Sequence, residues 1–395
     1  MEKIGIFGGS FNPPHLGHIR GAEYALETLG LTKLLLIPTR HTPGKPVPES
    51  GAGDAQRLEM LRLAAAREPR LEVSDLELRE DGFTWETIQR VSQAHPGAKL
   101  YLLLGTDMFQ KFPQWKNAED ICKNTVIAVL RRGDKKEAQI LEQTKALLEE
   151  MGGSVELLSN PVTAISSTQL RRLIAFRAGR EFLDPAVFSY IQNEKLYDFG
   201  ADFRNLPMQG LQKVVVRLLN PNRVNHVLGC RDTAVELARR WGANETDAGR
   251  AGLLHDITKA LDGPLQLTLC AAYGRMLDDF SRKYPKTLHA LTGSLVAREI
   301  FGENEAVVSA IESHTTGKAD MNLLETIIYV ADYMEPNRDF PGVEKLRELA
   351  FSDIRAALKL GLEMTLEHLK EQGNEVSPES RDALAWLNRQ ETQTM

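Results

Sequence analysis

Only three cysteines occur in the 395 residues, Cys122, Cys230 and Cys270, and none forms a CxxC pair. So sparse and scattered a set excludes a disulfide framework and fits reduced thiols in a cytoplasmic protein. No apolar run approaches 18 residues, so no membrane-spanning helix is expected. The opening MEKIGIFGGS enters a strand at once, so no signal peptide is expected. With a net charge of −6 and no long basic run, a nucleic-acid or membrane partner is not expected. No internal repeat is found. What is present is ordinary for a soluble globular protein, 42% hydrophobic and 26% charged. The length allows two domains, each with its own core.

The first half is organised around Ile4–Ile19, IGIFGGSFNPPHLGHI. Ile4 to Phe7 has strand composition and breaks at Gly8-Gly9. Ser10, Phe11, Asn12, Pro13 and Pro14 can neither extend a strand nor start a long helix, so they form a fixed loop. From His15 the pattern is helical, and His15 and His18, three apart, share one face of the first turn. That turn carries unpaired N–H groups and the positive end of the helix dipole, about half a charge. Strand, glycine-rich loop, helix N-terminus and two imidazoles together make an anion site.

Apolar runs at Leu34–Pro38, Leu71–Val73, Leu100–Leu104, Thr125–Leu130 and Val155–Leu157 alternate with helical patterns at Asp54–Ala66, Thr84–Ala94 and Ala138–Met151. This predicts an α/β class domain, a doubly wound parallel sheet with ligands at the carboxyl ends of its strands. The Pro- and Gly-rich stretch Thr39–Gly53 reads as a mobile loop over the site. Ser166 followed by Gln169 reads as a capping box, a second helix N-terminus lined by hydroxyls with Arg171 one turn in. Phe182–Tyr197 reads as a closing helix.

GGSFNPPHLGH resembles the signature of nucleotidyltransferases, specifically nicotinate-nucleotide adenylyltransferase, and ISSTQLR resembles that family's triphosphate motif. Gly105-Thr106-Asp107 with Trp115, and Phe83-Thr84 with Thr87, resemble its pyridine-nucleotide segments. Covering residues 1–198, the resemblance implies a Rossmann-like fold and ATP bound by Gly8, Gly9, Ser10, Phe11, Ser166, Ser167 and Thr168, with His15, His18 and Arg171 catalytic. It implies nicotinate mononucleotide bound by Lys45, Thr84, Gly105, Asp107, Trp115 and Arg131. A flat aromatic face suits a flat ring. Mg²⁺ is expected with ATP, since small hard ions bind mainly through substrate phosphates. The family's P-P-H-[KR] loop reads Thr42-Pro43-Gly44-Lys45 here, with the cation kept and the histidine absent.

Periodicity is lost over Asp198–Phe203, which places a linker there, between domains at 1–200 and 204–395. Beyond it amphipathic helices follow one another to about Leu387, and Asn388–Met395 are polar and expected to fray. His226, His255, Asp256, His289, His314 and Asp332 stand in largely apolar settings such as LLHDI and IIYVADY. A charged aspartate there is costly to bury unless paired or metal-bound. Imidazole with carboxylate suits iron, manganese or zinc.

The order H…HD…H…H…D resembles the HD metal-dependent phosphohydrolase superfamily. RVNHVLGC, GLLHDITK, LHALTGS and ESHTTG…IIYVADYMEPNR resemble its symmetrical bis(5′-nucleosyl) tetraphosphatases, over about residues 205–387. This implies an all-α domain in which His226, His255, Asp256 and Asp332 hold one metal, iron foremost, while His289 and His314 help hold a second. Lys259 and Arg338 are candidates for substrate phosphate. No Gly-Tyr-Pro segment occurs, which argues against a cyclic-dinucleotide substrate. The expected protein is therefore a cytoplasmic, bifunctional enzyme with small nucleotides as its partners: ATP, nicotinate mononucleotide and a dinucleoside polyphosphate. The rivals are another small phosphate ester as acceptor in the first half, and a different phosphohydrolase or a non-catalytic nucleotide-binding regulator in the second.

Overall fold

The computed structural model describes residues 1–40, 51–79, 83–131, 133 and 137–394. The chain divides into two compact units, Met1–Gly200 and Ala201–Met395.

The first unit is built on six parallel strands: β1 (Lys3–Gly9), β2 (Lys33–Pro38), β3 (Leu71–Val73), β4 (Lys99–Gly105), β5 (Val126–Leu130) and β6 (Ser154–Leu158). Their order is β3-β2-β1-β4-β5-β6. The chain winds outward from β1 in one direction and from β4 in the other. The crevice at the carboxyl ends of β1 and β4 is thus the switch point where such sheets take ligands. Helices cover both faces, so the central strands are apolar on both sides. Phe7, Leu34 and Leu36 pack towards the helices Leu16–Leu29, Asp54–Ala65, Ser167–Ala175 and Pro185–Asn193. Ile4, Ile6, Leu35 and Ile37 face Thr84–Ala94, Thr106–Lys111, Ala118–Asn124 and Glu137–Glu150.

The expected closing helix Phe182–Tyr197 is broken. Asp184 caps a helix that begins at Pro185 and ends at Asn193, and a short 3₁₀ turn follows at Leu196–Asp198. Proline at the first helical position sets the start, and left-handed backbone at Lys195 ends the helical path. Gly44 and Lys45, with most of the Thr39–Gly53 loop, lie outside the described residues.

Among its described residues the second unit is wholly helical. Helix Val224–Trp241 packs on Glu245–Leu254 and Leu323–Met334, with Leu288–Glu299 and Glu305–Ser313 alongside. Gly252 permits the first of these contacts, because a Cβ there would stand 2.7 Å from Cα of Arg231. The stretch from Asn388, expected to fray, continues the last helix to Thr394.

Candidate functional site

At the end of β1 the chain turns through Ser10–Pro14 and enters helix Leu16–Leu29, with His15 as its N-cap. The carbonyls of this loop are held from several directions. Gly9 O accepts from Thr39 N–H at 2.9 Å. Ser10 O accepts from Arg57 Nη1 at 2.7 Å, and the same nitrogen donates to Thr39 O. Asn12 O accepts from Arg171 Nη1 at 2.7 Å and Pro13 O from Ser167 Oγ at 3.0 Å. Acceptors that would repel an anion are thereby tied back. His15 N–H donates to His18 Nδ1 at 3.2 Å, and the two rings stack 3.6 Å apart. With Nδ1 accepting, a neutral His18 carries its proton on Nε2, which is a donor.

Helix Ser167–Ala175 starts with the capping box that the sequence predicts. Ser166 Oγ accepts from Gln169 N–H at 3.2 Å, and Gln169 Oε1 accepts from Ser166 N–H at 3.1 Å. Arg171 reaches both Asn12 O and Thr168 Oγ1, so this helix and the β1 loop form one hydrogen-bonded body. Gly105 closes β4, and Asp107 lies in the first turn of the helix that follows. Arg131 follows β5, its backbone pinned by the Asn160 amide on both sides. Thr84 opens helix Thr84–Ala94, and half-buried Trp115 packs 5.2 Å from the Phe112 ring. Gly105, Asp107 and Arg131 lie at or just beyond a strand's carboxyl end and Thr84 at a helix start, while Trp115 ends the 3₁₀ turn Phe112–Gln114.

In the second unit five helices bring six residues together. His226 Nε2 is 3.2 Å from His255 Nε2 and 3.1 Å from Asp332 Oδ1. Asp256 faces two ways. Its Oδ2 lies 3.6 Å from His226 Nε2 and 3.5 Å from His255 Nε2, and its Oδ1 lies 3.5 Å from His289 Nε2 and 3.8 Å from His314 Nε2. Each Nδ1 is engaged elsewhere: His255 with Gly252 O at 2.8 Å, His289 with Lys286 O at 2.9 Å, His314 with Ile311 O at 2.7 Å, and His226 with Glu335 Oε1 at 3.1 Å. Burial lowers the pKa of His255 and His289 well below the ordinary value and that of His314 to about 4. With each Nδ1 held from outside the cluster, the four Nε2 atoms turn towards the two carboxylates. This donor set fits divalent transition ions.

Three cations ring the cluster. Lys259 Nζ is 2.8 Å from His289 Nε2, and burial lowers its pKa to about 8. Arg338 donates to Asp332 Oδ1 at 2.6 Å and to its carbonyl at 2.9 Å. Arg223, which the sequence reading passed over, donates to Asp256 Oδ2, and its buried Nε has no hydrogen-bond partner among the described residues. Glu335 was also missed, although its place three residues after Asp332 puts it on the same helical face. It is 1% exposed, and its Oε2 accepts from Asn337 N–H at 2.8 Å. Gly229, one turn after His226, makes room for it: a Cβ there would meet Glu335 Oε2 at 2.4 Å.

Residues 6–173 match the cytidylyltransferase-like family, and residues 223–337 match the HD domain. A probable nicotinate-nucleotide adenylyltransferase of Neisseria meningitidis serogroup B is 35% identical over 207 residues, half of this chain and all of that protein. The chain belongs to the nicotinate-nucleotide adenylyltransferase family. To this adenylyltransferase half an HD domain is joined, and with it an expectation of divalent metal. A probable nicotinate-nucleotide adenylyltransferase/Ap4A hydrolase of Mycoplasma pneumoniae is 29% identical over 92% of this chain and 98% of its own length. A solved structure from Clostridium acetobutylicum, described as a predicted HD superfamily hydrolase involved in NAD metabolism, is 35% identical over 47% of this chain and 98% of its own, with a TM-score of 0.46. No described helix is long and apolar enough to cross a membrane.

Proposed function

We propose that the adenylyltransferase half joins ATP to nicotinate mononucleotide, giving nicotinate adenine dinucleotide and pyrophosphate. An oxygen of the mononucleotide phosphate attacks the α-phosphorus of ATP, and the bond to pyrophosphate breaks. That phosphate is already ionised, so no general base is needed and the work is positioning and charge stabilisation. The observation that carries this reading is the His15–His18 stack at a helix N-terminus, beside a loop whose carbonyls are tied back at the switch point of the sheet. His18 Nε2 donates to the triphosphate, joined by the first turn of helix Ser167–Ala175. Asp107, Trp115, Thr84 and Arg131 hold the mononucleotide. Mg²⁺ accompanies ATP as the counter-ion of its phosphates.

For the HD half we infer symmetrical hydrolysis of diadenosine tetraphosphate to two ADP. The two-faced placement of Asp256 carries it, one oxygen towards His226 and His255, the other towards His289 and His314. Asp332 joins the first set and Asp256 serves both. A metal pair held there, iron foremost, would supply a water of lowered pKa and positive charge beside the attacked phosphate. Arg223, Lys259 and Arg338 turn from the carboxylates and imidazoles to the polyphosphate, and the orphaned Arg223 Nε supports that role. A cytoplasmic setting suits these substrates.

One experiment tests both readings: chromatographic product analysis of the whole protein with ATP and nicotinate mononucleotide, and separately with diadenosine tetraphosphate. The expected products are nicotinate adenine dinucleotide with pyrophosphate, and ADP alone. AMP with ATP would reject symmetrical cleavage, and no dinucleotide would reject the first reading.

A further inference from the structure

Tyr197 is a large side chain with no place in the chemistry described so far. It lies beyond residue 173, where the cytidylyltransferase-like match ends. It is 1% exposed, and its hydroxyl donates to Asn12 Oδ1 at 2.6 Å, across 185 positions of sequence. The same oxygen accepts from Ala52 N–H at 3.3 Å. Asn12 is itself buried at 7% exposure, in the middle of the β1 loop, and its own carbonyl is the one that Arg171 grips.

The backbone that delivers the phenol is unusual. Tyr197 has φ 58 and ψ 38, between Lys195 at φ 52 and Asp198 at φ 60. A bulky residue in the left-handed region is rare, and such conformations persist only where the surroundings over-determine them. Here the surroundings are the apolar core under helix Leu16–Leu29 and the hydrogen bond to Asn12. Burial raises the phenol's pKa, so the hydroxyl is a donor at any working pH. Met60 Sδ, at 3.9 Å, is its other polar neighbour.

We propose that Tyr197 is a positioning residue for adenylyl transfer: through Asn12 it fixes the loop that presents His15 and His18 to the triphosphate. The proposal rests on the adenylyltransferase reading above. Asn12 links the phenol to the loop on its side-chain oxygen and Arg171 to the loop on its backbone oxygen. Removing the phenol leaves the Asn12 side chain held only by the longer bond from Ala52 N–H. The following cap, His15, then loses its fixed approach to the ATP phosphates.

The test is Tyr197→Phe, which keeps the ring and its packing and removes only the hydroxyl. In the full-length protein it should lower kcat for adenylyl transfer about tenfold, as a slight misplacement of reacting groups does. KM for nicotinate mononucleotide should stay within about twofold, and the melting temperature should fall by no more than the few degrees that one lost hydrogen bond costs. ATP affinity, measured without the second substrate, should weaken severalfold, which reads the loop directly. Asn12→Ala should be worse, and the double variant no worse than Asn12→Ala, because both act through one bond. Met60→Leu should match wild type. Wild-type kcat and ATP affinity in Tyr197→Phe, or losses that multiply in the double variant, would overturn the role. A wild-type protein that binds ATP but transfers no adenylyl group rejects the functional reading instead, and ATP affinity still decides the positioning.

Discussion

Single side chains in both sites act through what holds them. In the HD half no imidazole of the cluster is left to choose its tautomer, because Gly252, Lys286 and Ile311 carbonyls and the Glu335 carboxylate fix each Nδ1. Glu335 is the sole side chain in that set, so it can be changed. Glu335→Ala should weaken metal binding 10- to 100-fold, the usual effect of losing such a support. Metal titration of the purified variant checks this, and adenylyl transfer should be unaffected. In the other half, His18→Ala should lower kcat about 10²-fold, as losing a transition-state donor does. Turnover near wild type in steady-state kinetics would reject His18 as a phosphate donor. The residues legible from sequence were those whose type is costly where it stands, such as an aspartate in LLHDI or two histidines after Pro-Pro. Glu335, Arg223 and Tyr197 carry no such local mark. Each acquires its meaning from a partner 33 to 185 positions away: His226 at 109, Asp256 at 33 and Asn12 at 185.

At the scale of elements, helix ends carry the candidate chemistry. His15 caps one helix and Ser166 another, while His255 and His314 sit at the C-caps of theirs. After Leu254 the path tightens into i→i+3 bonds, Ile257 N–H to Leu254 O and Lys259 N–H to Asp256 O. With three residues per turn, Lys259 then eclipses Asp256. The close crossing at Gly252 lies three residues before His255, where this turn begins. Gly252→Ala should force two helices apart, costing about 1–3 kcal/mol by overpacking. It should also loosen the Gly252 carbonyl on His255 Nδ1. A lower melting temperature with sub-stoichiometric metal is the expected result, read by calorimetry and metal analysis. An unchanged melting point and full metal content would mean that the helices yield without strain. Strands and long amphipathic helices were legible because their periods differ. Phe182–Tyr197 was misread because its apolar residues keep a helical spacing across Asp184-Pro185 and the left-handed turn, where backbone conformation rather than hydropathy decides.

For the whole molecule, the parallel sheet followed by a helical unit was readable from the alternation of patterns and its loss after Asp198. The contents of each unit lead to the last expectation. Every residue in the two large apolar cores of the sheet lies before Gly200. The whole histidine–aspartate cluster, with Glu335 and its three cations, lies after Ala201. Each unit therefore contains its own core and its own candidate site, as independent domains do. Separating the chain near Ala201 should give two soluble fragments: 1–200 with adenylyl transfer and no bound transition metal, 201–395 with metal and hydrolysis. The cut must follow Tyr197. Ending the first fragment near Arg180 removes that phenol together with Val187 and Ile191, both fully buried, and should leave a protein that does not fold. Fragment circular dichroism, metal content and the two product assays decide it. If 1–200 is insoluble or inactive while the intact chain works, the halves share a core and the division at Gly200 is not a domain boundary.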